Sequence, residues 1–252
     1  MERVYFSQGA ALRFPPAPRR HRMRFMISAP ANLDRPFPGY AEAIASRSTE
    51  GWYARAGKRA LDIVLVLLTL PLTLPLIALC ALALWMEGGQ PFYWQDRVGQ
   101  RGRRFSIAKL RTMVRDADAR LAHLLATDPA IRDEWNHAQK LRNDPRITPM
   151  GRILRATSFD ELPQLWNVLK GEMSLVGPRP MLPEQRRLYG DAAFYEALRP
   201  GITGLWQVSM RNDKEFTYRA RIDAAYCRSL SLGRDLKLMV RTLAVVARRT
   251  GI

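Results

Sequence analysis

Apolar residues are spaced differently in successive parts of this chain, and each spacing predicts a different kind of structure. Residues 1–50 mix proline with arginine and follow no period, most densely in Phe14-Pro15-Pro16-Ala17-Pro18-Arg19-Arg20-His21-Arg22, which predicts a disordered basic arm. The chain opens Met1-Glu2-Arg3 with no apolar core ahead of that stretch, so no secretory signal is expected. Ile63 to Met86 then carries no charged residue and is long enough for a membrane helix. Pro91 to Gly99 and Arg103 to Leu110 read as two short strands joined by a Gly/Arg turn. Thr112 to about Thr127 has helical period, and Asp128-Pro129 supplies a cap and a first-turn proline for a helix to about Leu141. Arg199 to Val208 reads as a turn running into a short strand. Arg234 to Arg249 is a basic amphipathic helix that either lies on an anionic membrane or packs its apolar side on the core.

The apolar run is interrupted. Pro71 and Pro75 each remove a backbone donor, and Thr69 and Thr73 stand beside them as groups that could take up freed backbone partners. The legs on either side, Ile63–Leu70 and Leu76–Met86, would each rise only about 12–17 Å, about half the hydrocarbon core. Both flanks are basic: Arg55, Lys58 and Arg59 precede the run, and Arg97, Arg101, Arg103, Arg104, Lys109 and Arg111 follow it. The positive-inside rule puts both ends on the cytoplasmic side, which favours a re-entrant hairpin over one straight span. Phe92, Tyr93 and Trp94 suit either a membrane-interface belt or the core.

Charge narrows the partners. With 40 Lys+Arg against 23 Asp+Glu in 252 residues, the formal net charge is +17, a surface that attracts phosphorylated substrates, anionic headgroups or nucleic acid. No finger, recognition helix or aromatic-interleaved strand pair supports nucleic acid, and the apolar run argues against it. Cys80 and Cys227 give no disulfide framework, which fits a reducing cytoplasm, and His123 and His137 lack partners at metal spacing.

The candidate chemistry lies in Arg155-Ala-Thr-Ser158-Phe-Asp160-Glu161-Leu-Pro163-Gln164, followed by Gly177-Pro178-Arg179-Pro180. Ser158-x-x-Glu161 before an apolar run has the form of a helix-capping box, with Asp160 a first-turn acid favoured by the dipole. The same two carboxylates between Arg155 and Arg179 could equally hold Mg²⁺ and present a nucleophile to a diphosphate.

The ordered series Lys58-Arg59…Asp62, the broken apolar helix, Gln95-Asp96-Arg97-Val98-Gly99, Lys109-Leu-Arg111-Thr112-Met113, Asn143-Asp144-Pro145-Arg146, Asp160-Glu161-Leu-Pro163-Gln164, Gly177-Pro178-Arg179-Pro180 and Arg199-Pro200-Gly201-Ile-Thr203-Gly204 resembles the bacterial sugar transferase family. These are monotopic polyprenyl-phosphate hexose-1-phosphate transferases, and the resemblance covers residues 57 to 250. Within the family the chain looks most like the undecaprenyl-phosphate galactose phosphotransferases of exopolysaccharide synthesis. Leu110 and Phe159 stand where relatives are expected to carry Phe and Leu, and both remain apolar.

Together with the patterns above, the resemblance implies a helix-rich α+β, monotopic membrane protein: a disordered basic arm read from composition over 1–50, a proline-broken re-entrant anchor over 51–90 and a cytoplasmic catalytic domain over 91–252 with short strands and amphipathic interface helices. It implies transfer of hexose-1-phosphate, galactose or glucose, from a UDP-sugar to undecaprenyl phosphate with release of UMP, at the cytoplasmic face of the bacterial inner membrane. Asp160 would be the nucleophile and Glu161 would help it hold Mg²⁺; Lys109, Arg155, Arg179 and Asp223 match substrate-site positions. The implied partners are UDP-sugar, polyprenyl phosphate and anionic lipids, not nucleic acid, and a homodimer is compatible with the sequence. The competing reading is a non-catalytic basic adaptor, anchored to the membrane within a polysaccharide assembly complex.

Overall fold

One long helix supplies both the exposed apolar surface and part of the core. The computed structural model describes residues 44–45, 50–138, 141–189, 192–209 and 216–247; the arm expected over 1–50 lies almost wholly outside them. Helix α1 (Lys58–Met86) is entered through a π-helical turn, Tyr53–Gly57. Lys58, Asp62 and Val66, spaced one turn apart, are buried, and so are Cys80 and Leu84 further along. Leu68 and Leu72, 71% and 76% exposed, mark the opposite, bare face.

The expected break at the prolines is not a break in helical structure. The helix runs through Pro71 and Pro75 without interruption. Nor do the threonines take up the carbonyls those prolines free, which are one turn back at Leu67 and Pro71. Thr69 Oγ1 donates to the Leu65 and Val66 carbonyls (2.9 and 3.0 Å) and Thr73 Oγ1 to the Thr69 carbonyl (3.0 Å). Such back-bonding bends a helix without ending it.

Strands β1 (Phe92–Val98) and β2 (Arg104–Leu110) form the expected antiparallel hairpin, with Tyr93 opposite Lys109. Phe92, Tyr93 and Trp94 are all exposed, so none is a core aromatic. Residues after β2 stay extended, where a helix from Thr112 was expected: Met113 bridges Ile147, and Thr148 N donates to the Thr112 carbonyl. Helix α2 (Ala117–Thr127) starts only afterwards. Helix α3 (Pro129–Ala138) is capped by Asp128, whose Oδ1 accepts from the Ala130 and Ile131 amides at 2.9 and 3.2 Å. Then follow α4 (Pro149–Thr157), α5 (Gln164–Lys170), β3 (Ser174–Val176) and α6 (Ala193–Glu196). Strand β4 (Gly201–Thr203) pairs parallel with β3 and leads into α7 (Leu205–Ser209), a helix where the strand was expected to continue. Helices α8 (Phe216–Arg228) and α9 (Leu232–Ala247) close the described chain.

The core joins α1 to this framework at two places. Val66 packs in a cluster with Ile107, Val168 and Met173, while Cys80 and Leu84 pack in another with Leu110 and Leu154. Helix α9 packs one side on the core, one of the two alternatives for it. Asp235 and Leu238 are buried, and Asp235 accepts from Lys58, Tyr53 and Tyr226 at 2.6–2.7 Å. Leu232, Leu236, Val240 and Leu243 form an exposed apolar ridge along its other side.

Candidate active site

The hairpin and the α4–α5 junction together build a cavity of about 1190 Å³. Side chains on a strand alternate between faces, so Tyr93, Gln95 and Arg97 share one face of β1 and all line the cavity, with Lys109 joining them from β2. Helix α4 contributes Arg155 from its last turn. Its close approach to the residues after β2 depends on Gly151, where a Cβ would stand 2.1 Å from the Thr112 carbonyl oxygen. Arg155 Nε then donates to Thr112 Oγ1 at 2.9 Å. Burial pulls the Arg155 guanidinium below its ordinary range, opposed by Asp160 and Asp144.

The two carboxylates do not open a helix. Ser158 sits at φ 59°, left-handed, as the C-terminal cap of α4, and its side chain makes no capping bond. An N-cap residue needs an extended backbone, so the capping-box reading fails here. Phe159–Glu161 is a 3₁₀ turn, and α5 begins only at Gln164. On that turn Glu161 Oε1 accepts from Lys109 Nζ at 2.8 Å, with both side chains about four-fifths buried. Burial pushes the Asp160 carboxyl up to about 6; Glu161 adds to the rise, while Lys109 and Arg155 oppose it. The result is a carboxylate short of counter-charge at the wall of a basic cavity.

Arg179 faces the same cavity from an exposed position on an otherwise buried loop. That loop is set by glycines in close approach: a Cβ at Gly177 would meet the Arg199 carbonyl at 2.4 Å, and one at Gly204 the Gly177 carbonyl at 2.0 Å. Two further guanidiniums grip the loop backbone. Arg97 Nη1 donates to the Pro180 carbonyl at 3.1 Å, and Arg219 Nη2 donates to the Arg179 carbonyl. Burial, then the neighbouring Arg179, pushes Arg97 down to about 10.

Asp223 is placed elsewhere. It does not line the cavity; it is buried, accepts from the Tyr189 hydroxyl and lies in the field of Arg219. Burial raises its carboxyl to about 6 against the pull of Arg219 and Tyr189. The structure thus brings Lys109, Arg155, Asp160, Glu161 and Arg179 around one cavity and sets Asp223 behind it. Sequence reasoning quoted Arg97 and the Asp144–Arg146 pair without giving them roles. Asp144 and Arg146 form a buried ion pair at 2.7 Å on the cavity wall. The period-2 pattern of β1 was the available signal for Arg97. Arg219, forty residues from its partner carbonyl, carried none.

The sequence matches the bacterial sugar transferase profile over residues 53–249. This chain belongs to the bacterial sugar transferase family. Among members of the family, the UDP-galactose-lipid carrier transferase of Erwinia amylovora is 46% identical over 195 residues, 77% of this chain and 41% of that protein. The undecaprenyl-phosphate galactose phosphotransferase of Salmonella typhimurium is 45% identical over 195 residues with the same two shares. The exopolysaccharide production protein ExoY of Rhizobium meliloti is 40% identical over 228 residues, 90% of this chain and 99% of that protein. The chain therefore spans about two fifths of the length of the first two relatives and nearly all of the third.

Proposed function

We propose that this sugar transferase moves hexose-1-phosphate from a UDP-sugar to undecaprenyl phosphate, releasing UMP, at the cytoplasmic face of the inner membrane as a step of exopolysaccharide assembly. The observation that carries the reading is Asp160: a nearly buried carboxylate, raised to about 6, beside Lys109-bound Glu161 and Arg155 in a cavity that also holds Arg179. Such a group is a competent nucleophile at neutral pH, and the surrounding cations would stabilise charge on a diphosphate.

The chemistry follows from that placement. An Asp160 carboxylate oxygen attacks the phosphorus that bears the sugar, and the bond from that phosphorus to UMP breaks. A phosphate oxygen of undecaprenyl phosphate then attacks the same phosphorus, breaking its bond to Asp160 and regenerating the carboxylate. Lys109 holds Glu161 in place beside the nucleophile, and Arg155 and Arg179 hold the phosphates. Asp223, sealed off by Tyr189, acts as a positioning residue: it balances Arg219, which grips the Arg179 backbone. Among the described residues there is no group of three or more metal-binding side chains. Mg²⁺ ordinarily needs only one or two carboxylates besides phosphates and water, a demand that Asp160 and Glu161 fit. When bound, Mg²⁺ supplies charge neutralisation on the diphosphate.

The anchor reading has its own support. Val66 and Leu84 lie about 27 Å apart along a straight helix axis. The clusters they join include Ile107 and Leu110, only about 10 Å apart on β2. Arg59 at one end donates to the Leu169 carbonyl (2.8 Å), and at the other end the Leu84 carbonyl accepts from Arg111 (3.1 Å). Both ends thus rest on one domain, as a re-entrant anchor bent at its prolines requires. Labelling of single cysteines at Glu50 and Gln90 from outside intact cells tests it, and labelling of only one of them defeats it.

The reaction is tested by incubating membranes with polyprenyl phosphate and a panel of UDP-sugars. One UDP-hexose is expected to release UMP with the natural chain and none with Asp160→Asn. Turnover that survives the substitution excludes the nucleophile assignment and restores the adaptor reading.

A further inference from the structure

A second cavity, of about 590 Å³, shares no lining residue with the first. Its walls include Arg55 of the π-helical turn, Lys58 and Asp62 from the start of α1, Arg101 from the hairpin turn, Ser174 of β3, and Arg199. Both of its acids and one of its four cations are already spoken for. Lys58 is paired with Asp235 at 2.6 Å, and Glu196, also on the wall, with Arg186 at 2.7 Å. Asp62 Oδ1 accepts from Ser174 Oγ and Leu175 N at 3.1 and 3.0 Å. Arg55, Arg101 and Arg199 form no ion pair among the described residues. Burial, and after it the nearby Arg59 and Arg101, hold the Arg199 guanidinium below its ordinary range against the opposing Asp62. Cations are crowded here in excess of their counter-charges.

Arg101 is a separate signal. Its backbone is left-handed, φ 59° and ψ 29°, a conformation that glycine adopts freely and arginine only at a cost. The turn is fixed rather than loose. Gln100 Nε2 donates to the Ala197 carbonyl at 2.9 Å, and Gly102 N to the Gly99 carbonyl at 3.2 Å. An unfavourable backbone thus holds a guanidinium at the cavity wall.

Depth points to the ligand. Lys58 precedes Val64, which is 52% exposed and begins the bare apolar side of α1, by about 9 Å of helix rise. Trp52, 77% exposed, stands just before the π-helical turn, and tryptophan favours the membrane–water boundary. With α1 read as the membrane anchor, the cavity lies at the level of lipid headgroups. We infer that this cavity binds the phosphate of an anionic membrane phospholipid through Arg55, Arg101 and Arg199, as a site separate from the Asp160 centre. Guanidinium–phosphate contacts are charge-assisted and strong, and of the three arginines the partly buried Arg199 is the least screened by water.

The test uses the full-length protein in neutral detergent, titrated with short-chain phosphatidylglycerol and read by native mass spectrometry. The natural chain should retain one lipid. Arg101→Gly and Arg199→Gln should each weaken retention by about tenfold, while Arg103→Gln, outside the cavity, leaves it unchanged. Arg101→Gly also guards against misfolding, because glycine relaxes the left-handed turn and its melting temperature should not fall. Equal retention by the natural chain and Arg101→Gly overturns the assignment. So does displacement by glycerol phosphate at the same concentration as lipid, which would make the ligand a soluble phosphate ester. UMP release in the same samples keeps the two proposals apart. Lipid retention without UMP release defeats only the reaction, and UMP release without Arg101-dependent retention defeats only this cavity. Flotation with neutral phosphatidylcholine vesicles tests the anchor independently.

Discussion

Asp160 and Asp223 are two carboxyls with the same electrostatic signature in different surroundings. Both are raised by burial to about 6, and both have arginines nearby that oppose the rise. Asp160 stands at the wall of a large cavity beside a second carboxylate. Asp223 is sealed against Tyr189 and reaches the cavity only through Arg219 and the Arg179 backbone. A perturbed carboxyl marks a site of chemistry only when substrate can reach it; otherwise the same perturbation marks a strut.

The sharpest way to break this comparison is Asp160→Asn. UMP release should fall by about 10³-fold or more, since a neutral amide is no nucleophile. Thermal stability at pH 7.5 should rise by about 2 kcal/mol, because the folded protein then no longer holds a charged carboxylate in a poorly solvated place. Arg179→Ala comes next: kcat/KM for the UDP-sugar should drop by about 10²-fold, with the melting temperature nearly unchanged because the side chain is exposed.

The acid limb of the rate profile offers a finer test. In the natural chain kcat/KM should fall about tenfold per pH unit below about 6, as Asp160 takes up a proton. Lys109→Met removes a group that lowers Asp160, so the limb should move to higher pH. Glu161→Gln removes one that raises it, so the limb should move to lower pH, each by about one unit. Identical limbs in all three proteins would exclude Asp160 as the titrating group.

The smallest activity change is expected at Asp223→Asn, which should stay within about tenfold of normal turnover. Its effect on stability should nevertheless match that of Asp160→Asn in direction. Each carboxyl binds its proton more tightly in the folded chain than in the unfolded one. That contribution is full below the ordinary carboxylate range and is lost as pH rises through about 6. Both asparagine variants should therefore gain stability relative to the natural chain above pH 6, measured by thermal melts across pH. Loss of stability in Asp223→Asn would mean that its charge is needed against Arg219 more than burial penalises it.

What the sequence made legible was local. The hairpin was readable from two short strand-like segments around a Gly/Arg turn, and α3 from Asp128-Pro129, because their determinants are neighbours in the chain. The gathering of Lys109, Arg155, Asp160, Glu161 and Arg179 followed only from the family resemblance. Composition and spacing left a helix cap and a phosphate site equally open. The cap failed because Ser158 is taken up in ending α4, which a pattern of residue types cannot reveal. Thr112 does not start a helix because its carbonyl accepts from Thr148 and the adjacent Met113 pairs with Ile147, far along the chain. The part that Arg219, and the cavity-lining Arg97, play in holding the loop of Arg179 is likewise decided by long-range carbonyl contacts.

Lys109, Leu110 and Arg111 are consecutive, and each is fastened to something different. Lys109 binds Glu161 in the cavity, Leu110 packs in the cluster with Cys80 and Leu84 of α1, and Arg111 donates to the Leu84 and Gly88 carbonyls at that helix's end. Three adjacent residues thus tie the long helix α1 to the Asp160–Glu161 turn. If the proposed reaction and anchor hold, the height of the reacting phosphorus above the lipid is set by the rise of a single strand residue. A one-residue insertion at this point would turn Lys109 and Leu110 to each other's faces, detaching the chemistry from its membrane level without altering a single reacting group.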